Sequence, residues 1–213
     1  FRRLNLVPGG TQALVTMRAE LLAHIKKHPE LERVDLDLEF LLKAWFNRGF
    51  LDLTSVDWDT SASLLDKIIA YEAVHEITDW EALRQRIQPR DRRCFAFFHP
   101  RMPNEPLIFV QVALMKQTPE SIAEILSEDR EHVDPADCNT AVFYSISNCQ
   151  VGLRGVSFGN FLIKQVARDL SEEFPQLKTF VTLSPVPTFK GWLTKQADQL
   201  AAVKQLLEQT ADA

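Results

Sequence analysis

Cysteine is scarce in this chain of 213 residues, with only Cys94, Cys138 and Cys149 spread along it. Their spacing suits neither a disulfide framework nor a metal site, and a reducing compartment follows as the default, with the cytoplasm expected. A basic excess is lacking as well. Lys and Arg number 24 against 29 Asp and Glu, and the resulting charge of −5 argues against a general nucleic-acid binder. No apolar run approaches the roughly 20 residues that span a bilayer, and nothing resembles a secretory leader. There is no G-x-S-x-G elbow, which argues against an ordinary serine hydrolase. His24 and His28 stand four apart without an H-E-x-x-H motif or an obvious third ligand, so no metal is expected. Internal repeats and low-complexity tracts are absent too. What remains is a length sufficient for a sizeable core in one or two domains.

The first 90 residues read as a helical segment. Ala13, Leu14, Met17, Leu21, Leu22 and Ile25 give helical apolar spacing over residues 10 to about 28. A second helix is predicted from Pro29 to Arg48, with Leu38, Leu41, Leu42, Trp45 and Phe46 inward and Gly49 as its stop. A third covers about 60–73 on Leu64, Leu65, Ile68 and Ile69. A fourth runs from Asp79 to Ile87, capped by Thr78 or Asp79. Composition changes at Gln88–Arg93, and a boundary is placed near residue 90. Beyond it, 94–99 and 107–115 read as buried strands, 118–128 as a helix, 140–148 and 177–184 as strands, and 188–209 as a closing helix. The expected class is α+β: helical residues 1–90, then a mixed sheet flanked by helices over 91–213.

The richest stretch lies between residues 138 and 186. A strand leads through Arg154-Gly155-Val156-Ser157-Phe158-Gly159-Asn160 into a helix predicted over 156–173, whose apolar row is Phe158, Leu162, Val166, Leu170 and Phe174. A second strand follows and ends on Ser184-Pro185. A strand–crossover–strand unit is right-handed and parallel, which places both strand ends on one edge of the sheet, where open sheets bind ligands. The first turn of a helix offers N–H groups without intrahelical partners and a positive dipole end. Gly155 and Gly159 carry no Cβ, so a phosphate can approach their backbone, and Arg154 adds a charge. Pro185 keeps Ser184 extended at the strand exit.

The spacing from Arg154 to Gly159 resembles the pyrophosphate loop of GNAT acyltransferases, R/Q-x-x-G-x-G/A, with Ser157 in place of the usual middle glycine. The longer words YSISNCQVGLRGVSFGNFLIKQVARDL, EFPQLKTFVTLSPVPTFKGWL, FFHPRMPNEPLIFVQVAL, WDTSASLLDKIIAYEAVHEITDWEALRQRI and FRRLNLVPGGTQALVTMRAELL are similar to malonyl-CoA decarboxylase, a GNAT-like family, over essentially the whole chain. This resemblance implies conversion of malonyl-CoA to acetyl-CoA and carbon dioxide, with no cofactor beyond the coenzyme A thioester. It implies a GNAT-like sheet, Ser184 as the catalytic residue of the L-S-P-x-P word, and residues 154–160 as the coenzyme A cradle. It further implies a proton-donating histidine in a later segment that is not present here, so the chain is expected to be an incomplete part with little activity alone. Homo-oligomerisation through the helical domain is also expected, and a mitochondrial or peroxisomal address is the alternative to the cytoplasm if missing termini carry the signal. Some members carry glutamate at the Ser157 position, and a serine brings no such charge. A GNAT-type acyltransferase and a noncatalytic malonyl-CoA-binding module are the alternatives.

Other residues carry weaker expectations. Arg90, Arg92 and Arg93 read as a solvated junction or as a contact to the adenosine 3′-phosphate of coenzyme A. His75 is expected to help pack the helical segment, and His132 to be exposed. His99 ends a strand and is expected to make a structural hydrogen bond; it is also the first substitute if the proton comes from this chain. The thiols are expected to be bystanders, although modification of Cys149, near the loop, is expected to hinder binding.

Overall fold

A computed structural model describes residues 1–196, apart from the side chain of Lys190. The chain divides into two compact units, Phe1–Leu183 and Ser184–Ala213. In the first, α1 (Gly10–His24) and α2 (Glu32–Trp45) precede β1 (Asp52–Ser55), α3 (Ala62–Tyr71) and α4 (Trp80–Ile87). There follow β2 (Arg92–Phe98), β3 (Ile108–Met115), α5 (Ala123–Leu126), β4 (Thr140–Asn148), α6 (Gly159–Glu173) and β5 (Thr179–Thr182). In the second unit, α7 spans Phe189–Gln196; the predicted continuation of this helix to residue 209 lies outside the described residues.

The five strands among the described residues form one mixed sheet in sequence order, antiparallel from β1 to β4 and parallel between β4 and β5. The α+β expectation and the parallel crossover through α6 are both met. β3 is central and buried along all but its last residue, as its apolar run requires. Alternate side chains take opposite faces. Phe97, Ile108, Val110, Val112 and Phe143 pack with Leu162, Val166 and Leu170 of α6 and Leu42 and Phe46 of the α2 end. Cys94, Ala96 and Phe109 pack with Leu65, Ile68, Leu83 and Ile87 of α3 and α4, and Ala113, Val142 and Tyr144 with Ile125 of α5.

Several boundaries move for local reasons. α2 stops at Trp45, because the Asn47 side chain accepts from Gly49 N–H and starts a separate 3-10 turn, so Gly49 is not its stop. Asp79, rather than Thr78, caps α4 by accepting from Ala82 N–H at 2.8 Å. The helix predicted over 118–128 shrinks to four residues: the Glu124 carboxylate accepts from the Glu120 and Ser121 N–H groups and ties the preceding chain into a loop. β1 has no counterpart in the sequence reading. It is a short edge strand with little burial, so alternation is too weak to announce it, yet it pairs with β2 over Asp52–Ser55. The sheet therefore starts well before residue 90, and the helices α3 and α4 are part of its packing.

Candidate functional site: the loop between β4 and α6

β4 continues past β5. Pairing covers Thr140↔Thr179 to Phe143↔Thr182, and Leu183 N–H still reaches Phe143 O at 2.9 Å. β4 then runs on through Asn148, with Tyr144 as the extra residue at a bulge and Ser145 to Asn148 paired only with β3 among the described residues. The two strand ends share a direction but are offset along the sheet by five residues of β4, a refinement of the common edge expected from the crossover.

After Asn148 the chain is pinned at each step. Cys149 N–H donates to Leu107 O at 2.9 Å, and the Gln150 side chain donates to Pro106 O at 2.9 Å. A 3-10 turn over Val151–Leu153 follows, Gly155 takes φ +87°, and Val156 N–H closes onto Leu153 O. Because of this turn α6 begins at Gly159, three residues later than predicted. Phe158 is buried in the core and provides no side-chain cap to α6. Among the described residues no protein acceptor is found for the N–H groups of Gly155, Ser157, Phe158, Gly159, Asn160 or Phe161. The turn borders a cavity of about 290 Å³, with Asn148, Gln150, Arg154, Gly155, Val156 and Phe158 in its wall. Arg154, Ser157 and Asn160 have exposed side chains, while Val156 and Gly159 are partly covered. The Arg48 guanidinium stands 5.2 Å from the centre of the Phe161 ring, a second cation at the same helix start.

The loop is shaped from beneath by α1, which the sequence reading did not foresee. Gly152 lies so close to α1 that a Cβ there would sit 1.9 Å from Val15 O. Arg18, 1% exposed, donates from Nη1 to Gly152 O at 2.9 Å and to Arg154 O at 2.7 Å. Its Nε donates to Asp35 at 2.8 Å and its Nη2 to Glu39 at 3.1 Å. The buried face of α1 is therefore Thr11, Leu14, Val15 and Arg18, rotated from the predicted row through Ala13, Met17 and Leu21. An arginine seven residues after Thr11 and four after Leu14 was the available signal.

Ser184 opens the second unit, immediately after Leu183, and its side chain is exposed. Pro185 and Pro187 follow, then Thr188 at φ 71°, a strained conformation for a β-branched residue, and its carbonyl accepts from Trp192 N–H in α7. The loop residues 154–160 are thus brought together within the first unit, and Ser184 belongs to the other.

The remaining candidates take structural roles. His99 is 7% exposed; its Nδ1 accepts from Arg101 N–H at 3.1 Å, which leaves Nε2 to donate to Trp45 O at 3.2 Å. Burial lowers its pKa, against the backbone bond to Trp45, and holds it neutral. Arg92 is buried, donating to Asp91 O and Ile125 O, while Asp91 takes both Arg130 nitrogens, at 2.6 and 3.2 Å. Burial works against the Asp91 charge, but the Arg130 bonds and the Arg92 charge outweigh it and lower the carboxyl pKa. Arg93 pairs with Glu173 at 2.8 Å and covers Phe174. That places it at the far end of α6, about 21 Å along a 15-residue helix from the loop. Burial pushes the Cys94, Cys149 and Cys138 thiols up. His132 is exposed, 4.0 Å from Asp91, and His28 faces Glu30 at 3.2 Å. Glu72, also missed from sequence, accepts from Gln111, Ser145, Val74 and His75, and so fixes the α3–α4 connection to the sheet.

Residues 1–46 match the family model of the malonyl-CoA decarboxylase N-terminal domain, and residues 49–213 that of the malonyl-CoA decarboxylase C-terminal domain. The changeover falls between the end of α2 and β1. The mitochondrial malonyl-CoA decarboxylase of Anser anser anser is 40% identical over 199 residues, 91% of this chain and 39% of that protein. The Mus musculus enzyme of the same name is 39% identical, over 91% of this chain and 40% of its own length. A crystal structure of malonyl-CoA decarboxylase from Rhodopseudomonas palustris superposes with TM-score 0.86 at 58% identity, covering 92% of this chain and 48% of that one. The one from Agrobacterium vitis gives 0.87 at 59%, covering 91% and 47%. The chain thus spans about two fifths of those curated relatives and about half of those solved structures. With both family models matched in order, one after the other, the chain belongs to the malonyl-CoA decarboxylase family.

Proposed function

We propose that the protein carrying this chain converts malonyl-CoA to acetyl-CoA and carbon dioxide, and that residues 154–160 hold the coenzyme A diphosphate. The observation that carries the reading is the group of N–H donors around the α6 start that have no protein acceptor among the described residues, beside a cavity and two arginines, in a chain of this family. Oriented N–H groups and a helix dipole suit an anion there. The carboxylate carbon–carbon bond breaks, carbon dioxide leaves, and the electron pair moves into the thioester carbonyl as an enolate. Protonation at carbon then gives acetyl-CoA. The thioester takes up the electrons itself, so the reading requires no further cofactor. Ser184 is assigned a hydrogen bond to the malonyl group. The proton donor is assigned to a histidine outside this chain, in keeping with His99 being neutral and bonded through both nitrogens.

The same reading places the protein in the cytoplasm, with three buried free thiols suited to any reducing compartment, the mitochondrial matrix included. Among the described residues no helix is long and apolar enough to cross a membrane. Homo-oligomerisation through the helical segment is supported by Leu36 and Phe40, 65% and 69% exposed on α2. The decisive assay uses the intact protein with malonyl-CoA labelled at the free carboxyl. Labelled carbon dioxide is expected in step with acetyl-CoA. Acyl transfer to amines without gas release would replace the reading by an acyltransferase, and tight binding without either by a sensor.

A further inference from the structure

We propose that Arg18 of α1 is a positioning residue that aims the Gly155 N–H at the diphosphate, so that coenzyme A affinity depends on the helical segment. This rests on the reading that the loop binds the diphosphate. A guanidinium has five N–H donors in a planar fork, and Arg18 uses them for four bonds, two to carboxylates and two to loop carbonyls. Asp35 and Glu39 balance its buried charge. The carbonyls of Gly152 and Arg154 are thereby drawn toward α1.

Peptide units are planar and trans, so the C=O and the following N–H point in opposite directions. Anchoring Arg154 O on Arg18 at 2.7 Å therefore turns the Gly155 N–H away from α1. That N–H has no protein acceptor among the described residues, and Gly155 lines the cavity. The geometry demands glycine: φ is +87°, and a Cβ would sit 2.8 Å from the Glu39 Oε1. Glu39 thus closes beneath the turn while it pairs with Arg18. Lysine cannot reproduce the arrangement, because an ammonium offers three donors from one point and no fork.

The test compares Arg18→Lys and Arg18→Met in the intact protein, with malonyl-CoA and with malonyl-pantetheine, which has no diphosphate. KM for malonyl-CoA should rise on the order of ten-fold, the effect of weakening one hydrogen bond to a charged group, with a far smaller change in kcat. Malonyl-pantetheine should lose much less. Equal losses on both substrates, or an unchanged malonyl-CoA KM, would overturn the proposal. If neither Arg18 variant folds, Glu39→Gln gives the same comparison with a smaller expected rise, and the same null results count against it. Gly159→Val separates the two levels. If it weakens coenzyme A binding while the Arg18 variants do not, the positioning role alone fails; if coenzyme A binds it normally, the loop reading fails first.

Discussion

Ser184 and Gly159 carry the sharpest residue-level expectations. On the proposed reading, Ser184→Ala in the intact protein should lower the decarboxylation rate on the order of 10²–10³-fold, the usual effect of losing one preorganised donor. Binding of an inert malonyl-CoA analogue should change far less, since nucleotide and pantetheine supply most of the affinity. Comparable losses in rate and affinity would instead make Ser184 a binding residue. At Gly159 a Cβ would meet only Ile108 Cδ1, at 3.8 Å, so the fold itself accepts a side chain there. Gly159→Val should therefore fold yet bind coenzyme A weakly in calorimetry, because the added atoms obstruct the approach to the α6 amides. Gly152 is the contrasting case: its missing Cβ makes room for Val15 O, and substitution there should damage packing rather than binding alone.

Elements differ in how much of their geometry is local. α4 is set by neighbouring residues, with Asp79 at its start and Leu83 and Ile87 inward. Asp79→Ala should cost about 1 kcal/mol, the typical value of such a cap, measured by urea unfolding; an unchanged midpoint would show that packing alone holds the helix end. β4 and β5 were legible as apolar runs, and the crossover rule gave their parallel pairing. Where they part was not legible, because strand divergence depends on what each pairs with beyond Phe143 and Thr182. α1 is the opposite of α4. Its periodicity suggested one buried row, but its partner is a polar turn rather than an apolar sheet, so a threonine and an arginine are buried instead of Met17.

For the molecule as a whole, pH reports on two buried groups. His99 has its pKa lowered by burial, so its neutral form contributes stability that is complete above about pH 6.5, the ordinary histidine value, and is lost as pH falls through the depressed value. Asp91 is also lowered, despite burial, by Arg130 and Arg92. Its contribution is complete above about pH 4 and disappears only at lower pH. The melting temperature should therefore decline gently below about pH 6.5 and more steeply below about pH 4. His99→Gln should flatten the first decline and Asp91→Asn the second. Parallel curves for wild type and both variants would assign the acid sensitivity elsewhere. At neutral pH, Asp91→Asn should also destabilise by about 3–5 kcal/mol, since Arg92 and Arg130 would keep their charges without a buried counter-ion.

The amino-acid order alone determined the α+β class, most helices, four of the five strands and the glycine turn before α6. These follow from periodicity, chain-neighbour capping and crossover handedness, all of which act over a few residues or one supersecondary unit. Tertiary structure decided what distant residues do to one another. β1 exists because β2 offers it an edge, Arg93 is paired with Glu173 at the end of α6, and Cys149 is buried. The loop's shape was decided in the same way, through the hydrogen bonds of Arg18 to carbonyls 134 and 136 residues away. No local pattern encodes such a contact, because a buried arginine and an exposed one look alike until the chain has folded around them.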